Sequence, residues 1–203
     1  MKAIKGERKP GGIRTPGADL RALKGNVATN SDVVFLGLDV SSTITGYCFI
    51  DGSGKILKAG AIKCAGAVPD RLQQMRDSLA VLLNEYKPTI VAIEDMIGFR
   101  NGRVVKIINQ FVGVAYLTCF DYNGNDVYFI ASSSVKKFLG VNPRALKKEG
   151  LKPPEIKEVV YQKIVKDYGL KVAPGDDKVR HDIADASGVA LKLLERLKGA
   201  SNA

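Results

Sequence analysis

The sequence predicts an α/β domain built on a mixed five-stranded sheet flanked by helices. Two observations carry that expectation. Five short apolar runs rich in β-formers occur between residues 33 and 131, and the first three follow one another with only turns between them. The last two alternate with stretches whose apolar residues recur at helical spacing, giving the order βββ-α-β-α-β-α-α. A meander followed by strand–helix alternation places antiparallel strands at one edge of a sheet and parallel strands at the other.

The elements follow in chain order. Residues 33–39, 45–51 and 55–63 read as strands, the last two joined by the turn "DGSGK" at 51–55. Residues 69–86 read as a helix, with Leu72, Met75, Leu79, Leu82 and Leu83 on one face. "KPTIVAIED" (87–95) opens with a proline turn and becomes a buried strand. The loop "MIGFRNG" leads to a helix at 103–120, in which Val105, Ile108, Phe111, Val112, Ala115 and Leu117 spread over more than one face. An arc that wide implies burial on two sides or a place at an interface. "NDVYFIA" (125–131) is the fifth strand, and "SSSVKKFLG" a short helix capped by serine. Residues 140–154 read as a basic loop ending in Pro153 and Pro154, and helices follow at 155–168 and 182–198.

Composition narrows the function. Hydrophobic residues make up 45% and charged residues 26%, as in an ordinary soluble domain. No continuous apolar run approaches the ~18 residues of a membrane span, and no apolar signal core opens the chain, so no membrane partner is expected. Three scattered cysteines without a CxxC, and a single histidine, argue against a disulfide framework or zinc site and fit an intracellular, reducing compartment. The net charge of +10 is unevenly spread. Residues 1–31 hold seven Lys/Arg against two acids, and so do residues 136–157. Clustering of this kind points to a polyanion such as nucleic acid. Residues 1–31, with "KPGGIRTPG" and no apolar period, read as a flexible basic arm ahead of a domain at 32–203.

The acids supply the chemistry. Asp39 ends the first strand, Glu94 ends "IVAIE", and Asp182 and Asp185 in "HDIADA" share one helix face. Taken singly, such an acid is a turn former or a cap. If the two strands are neighbours and the helix packs beside them, the four carboxylates converge and need cations. Hard oxygen ligands on a phosphate-binding surface suit Mg²⁺, with Mn²⁺ able to substitute, and such sites hydrolyse phosphodiesters. Asp95, adjacent to Glu94, should face the other side of the sheet. His181 lies four residues before Asp185 and is a second-tier candidate, as a ligand or a partner of one.

"FLGLDVSSTITGY", "IVAIEDM", "NQFVGVAY" and "DIADASGVAL" resemble, in that order, the RuvC family of Holliday junction resolvases, over roughly residues 33–197. The resemblance implies an RNase H-like fold and a Mg²⁺-dependent homodimer that nicks four-way DNA junctions on two strands. It assigns the catalytic acids to Asp39, Glu94, Asp182 and Asp185. It adds Lys136, with Lys137 as the adjacent register alternative, and Lys157 as lysines near the scissile phosphate, and it makes 103–120 the dimer helix. The DNA-binding surface would comprise Phe99, Arg100, Arg103, Lys137, Arg144, Lys147, Lys148 and Lys152. The family's aromatic three residues after the catalytic Glu is replaced by Ile97, with Phe99 two further on. The segment "GVNPRALKKEGLKPPE" is enlarged and the basic arm has no bacterial counterpart, which suggests a divergent phage, viral or organellar branch. The competing readings are a related nuclease for flaps, RNA–DNA hybrids or structured RNA, a sugar-kinase-like phosphotransferase, and a non-catalytic nucleic-acid-binding module. The phosphotransferase would need two such domains where this chain has room for one.

Overall fold

The computed structural model describes residues 32–95, 102–124 and 127–201. The expected basic arm, and Phe99 and Arg100, lie outside the described residues. The strands are β1 (Val34–Asp39), β2 (Ile44–Asp51), β3 (Ile56–Lys63), β4 (Ile90–Asp95) and β5 (Val127–Ala131), in the sheet order β3-β2-β1-β4-β5. β1 pairs antiparallel with β2 and parallel with β4, and β5 runs parallel to β4. This is the expected mixed sheet. The β2–β3 turn closes by a Gly54 N–H···Asp51 carbonyl bond at 2.9 Å, with Gly54 in the left-handed region at φ 94°.

Helices cover both faces. α1 (Val68–Tyr86) and α2 (Gly102–Asn123) lie on one; α3 (Ser132–Phe138), α5 (Pro153–Tyr168) and α6 (Arg180–Ser201) lie on the other, and the short α4 (Pro143–Lys148) links α3 to α5. The two-residue period of the strands divides the core accordingly. Leu36, Leu38, Val91 and Ile93 pack with Met75, Leu79, Leu83 and Phe111. Phe35, Ile90, Ala92 and Ile130 pack with Val160, Ile164, Ile183 and Ala190. The same alternation puts Asp39 and Glu94, at the ends of β1 and β4, on the α6 side.

The fourth strand starts at Ile90, after the expected proline turn, and Lys87 is the left-handed C-cap of α1 at φ 48°. Three local expectations are corrected. α3 has Ala131 as its N-cap with no side-chain cap bond, so the serines do not cap it. The basic segment 140–154 is not all loop. Asn142 accepts hydrogen bonds from the amides of Arg144 (3.1 Å) and Ala145 (3.2 Å) and starts α4, with Pro143 in its first turn. Pro153 and Pro154 open α5 instead of closing a loop, which suits residues that lack an amide the first turn does not need.

α2 is, by length and composition alone, apolar enough to cross a membrane, although Lys106, Asn109 and Gln110 interrupt its apolar runs as the sequence shows. In the fold it is a covering helix: Ile108, Phe111, Ala115 and Cys119 are buried, while Leu117 and Phe120 are 57% and 37% exposed. Arg71 lies over the Phe111 ring at 5.6 Å. Of the two places α2's wide apolar arc allowed, Phe111 therefore takes the core one. A charge there costs several kcal/mol. Phe111→Asp should unfold the domain in a thermal melt, whereas Leu117→Asp should leave it folded.

Candidate catalytic site at the meeting of β1, β4 and α6

The position of the site follows from how closely α6 approaches the sheet. Gly37 on β1 and Gly46 on β2 face α6. A Cβ on Gly37 would meet the Ala186 carbonyl oxygen at 2.3 Å and the Ala190 nitrogen at 2.5 Å. One on Gly46 would meet the Asp182 carbonyl oxygen at 2.1 Å. The missing side chains let the helix rest on the strand backbones. Its first turns then stand beside the ends of β1 and β4.

Oxygens of Asp39, Glu94 and Asp185 lie within 4.8 Å of one another. With Val40, Ser41, Asp95, Ser132, Lys136, Lys157 and Asp182 they line a cavity of ≈ 320 Å³. Six expected site residues are thus brought together. Asp182 stands at the edge of the carboxylate triad. Lys136 rather than Lys137 lines the cavity; Lys137 is exposed on the next position of α3. Asp95, expected on the other side of the sheet, also edges the cavity. His181 is engaged elsewhere: its Nε2 is 2.8 Å from Glu158 Oε2, and its ring meets Tyr161 edge-on. Arg103, Arg144, Lys147, Lys148 and Lys152 are exposed and lie outside the cavity lining.

Two groups were missed by the sequence reading. Ser132 accepts from Lys136 Nζ at 2.5 Å and hydrogen-bonds Glu94, tying the lysine to the acid. The signal was the serine run itself, read as a cap. Glu158 accepts from Arg180 Nε and Nη2 at 3.1 and 3.0 Å and from Gln162 at 2.7 Å, in addition to its contact with His181. The bonds from Gln162, His181 and Arg180 hold its carboxyl down at about 2.

The electrostatics are those of crowded acids. Burial, then the charges of Glu94 and Asp185, push the Asp39 carboxyl well above its usual value. Burial and Asp185 raise Glu94 against the pull of Ser132, Asp39 and Lys136, and burial also raises Asp182. Lys157 Nζ sits 3.1 Å from Asp185 Oδ2. Burial opposes its charge, but Asp185 and the neighbouring acids outweigh that and raise its pKa. Crowded, partly buried carboxylate oxygens that resist ionisation are a donor set suited to a hard divalent cation. In the absence of metal, a carboxyl with a raised folded pKa favours the fold at low pH, and that stability is lost as pH rises through the raised value. In a chelator, Asp39→Asn should therefore melt above wild type, with the gap widening from pH 4 toward pH 7, at about 2–4 °C per kcal/mol of relieved repulsion. A gap that stays constant with pH would contradict the crowding.

The chain is similar to known proteins in both sequence and fold. The family model described as crossover junction endodeoxyribonuclease RuvC matches residues 35–152, from β1 into the basic segment before α5. A protein of that name from Alkaliphilus metalliredigens is 30% identical over 164 residues, covering 78% of this chain and 91% of the relative. Another from Synechocystis is 28% identical, covering 81% and 92%. The fold is similar to that of T. thermophilus RuvC solved in complex with a Holliday junction substrate, with TM-score 0.65, 20% identity, and 83% and 97% of the two chains covered. It is also similar to the yeast mitochondrial Holliday junction resolvase, with TM-score 0.55, 12% identity, and 90% and 89% covered. With the family model spanning more than half of its length, the chain belongs to the RuvC family of crossover junction endodeoxyribonucleases.

Proposed function

We propose that the protein is a structure-selective DNA endonuclease that resolves four-way junctions, with Asp39, Glu94, Asp182 and Asp185 holding Mg²⁺. The observation that carries this reading is the convergence of Asp39, Glu94 and Asp185 within 4.8 Å in a member of the RuvC family. Bound there, a divalent cation would lower the pKa of a water and neutralise charge on the phosphate. The protein's own groups do the rest. Asp39 and Glu94 are fixed by the sheet, so the cation-holding oxygens need little reorganisation. Ser132 holds Lys136 beside Glu94, and Lys157 stands over Asp185, so two ammonium groups face the cavity where a phosphodiester would lie. Positive charge aimed at a developing phosphorane-like charge is the strongest kind of help such a site can offer. Arg103, Lys137, Arg144, Lys147, Lys148 and Lys152 extend a basic surface for the arms of the junction.

Two cuts on opposed strands call for two sites related by a two-fold axis. The exposed apolar residues Leu117 and Phe120, neighbours on the outer side of α2, supply a surface for a homodimer. Sedimentation of Leu117→Asp reads this directly: a monomer supports the dimer face, and an unchanged dimer removes it.

Asp39→Asn and Glu94→Gln should each lower junction cleavage in Mg²⁺ by about 10²-fold or more, because each removes a charged oxygen that would hold the cation. Junction affinity should be kept, since neither change removes a phosphate contact. A panel of labelled four-way junction, flap, duplex and RNA–DNA hybrid completes the test. Full activity in either variant, or preference for a substrate other than the junction, would sink the reading.

A further inference from the structure

The start of α5 is fastened to the start of α6 by two adjacent side chains of unlike kind. Lys157 pairs with Asp185. Glu158, the next residue, grips Arg180 through two nitrogens and His181 through one. Gln162, one turn further along α5, donates to the other oxygen of Glu158 at 2.7 Å and so fixes the plane of the carboxylate. Tyr161 completes the same face: the Arg180 guanidinium lies 5.7 Å over its ring, and the His181 ring meets it edge-on at 6.3 Å. Positions 158, 161 and 162 share one side of the helix.

The two fastenings differ in permanence. Asp185 is one of the carboxylates that would hold a cation, so the Lys157–Asp185 pair is a contact the working site disturbs. The grip of Glu158 uses none of the cation-holding carboxylates and persists. Below it, Ile156, Val160 and Ile164 are buried against the core, but apolar contact is non-directional and sets the sliding register of a helix end only loosely. A carboxylate held by three donors from two consecutive residues sets that register sharply.

We infer that Glu158 is a positioning residue: through Arg180 and His181 it locks the second turn of α5 to the first turn of α6, and so keeps Lys157 over the cavity when Asp185 is engaged by a cation. The inference rests on the reading of Lys157 as a residue of the cleavage site. It concerns side chains of this chain's own α5–α6 junction rather than the acids themselves.

The test compares wild type, Glu158→Gln, Lys157→Ala and the double variant in single-turnover cleavage of a four-way junction with saturating protein. Glutamine keeps the shape of the side chain, and a thermal melt verifies that the fold survives. Glu158→Gln should lower the cleavage rate about tenfold, within the loss of up to about 10²-fold that a misplacement of order 1 Å can cause. Junction affinity should stay within about twofold. On the Lys157→Ala background the same change should add less than about twofold, because non-additivity marks residues acting as one unit. A second readout needs no cleavage: in crystals with Mn²⁺, Lys157 should remain over the cavity in wild type and leave it in Glu158→Gln. An unchanged rate in Glu158→Gln, losses that multiply in the double variant, or Lys157 unmoved in the crystal would overturn the inference. If wild type cleaves no junction at all, the resolvase reading fails and the crystallographic comparison alone decides the role of Glu158.

Discussion

The structure depends on one close contact, that of α6 with the backbones of β1 and β2. Gly37 and Gly46 leave the strand surface bare where Asp182, Ala186 and Ala190 of the helix come down on it. Any side chain at either glycine would have to displace helix backbone, which cannot give as a flexible side chain can. The contact has two consequences. It buries Ile183, Val189 and Ala190 in the larger of the two core clusters. It also delivers Asp185 to the ends of β1 and β4, which no loop of comparable length would do with the same precision. Packing and site geometry are set by the same residues.

That geometry works against the fold in electrostatic terms. Three carboxylates whose oxygens lie within 4.8 Å repel one another, and two lysines and a serine relieve only part of the repulsion. Asp39 and Glu94 answer by resisting ionisation. A site built this way is stable at neutral pH to the extent that something positive enters it, and a cation bridging the acids would do so more completely than Lys157. Strain of this kind belongs to functional sites, where local unfavourable contacts are held in place by the surrounding core. Here the surrounding core is the doubly covered sheet, with Phe35, Leu36 and Leu38 of β1 fully buried.

Much of this was legible in the sequence because it is written in periodicity. The apolar runs "VFLGLD" and "IVAIED" mark the strands and set Asp39 and Glu94 at their ends, and the parallel pairing of β1 with β4 then makes the two acids neighbours on one side of the sheet. The spacing of Asp182 and Asp185 places both on one helix face. What escaped was written in local competition between partners. Ser132 could cap α3 or bind Lys136 and Glu94, and only the packed site decides for the latter. Pro143, Pro153 and Pro154 signal a break in structure, yet each is equally at home in the first turn of a helix, and α4 and α5 begin with them. His181, at ligand spacing from Asp185, was drawn to Glu158 by an acid on another helix, 23 residues away in sequence. Phe111 illustrates the remaining ambiguity: a wide apolar arc on α2 has a core side and an outer side, and sequence spacing does not say which residue takes which.

Asp39, Glu94 and Asp185 have the geometry of a single cation-binding centre. Anomalous diffraction from crystals grown with Mn²⁺ tests it most directly. A Mn²⁺ peak is expected between the three carboxylates in wild type, and its loss in crystals of Asp39→Asn under the same conditions. A peak that persists in the variant, or that appears only at other acidic side chains, would contradict the claim.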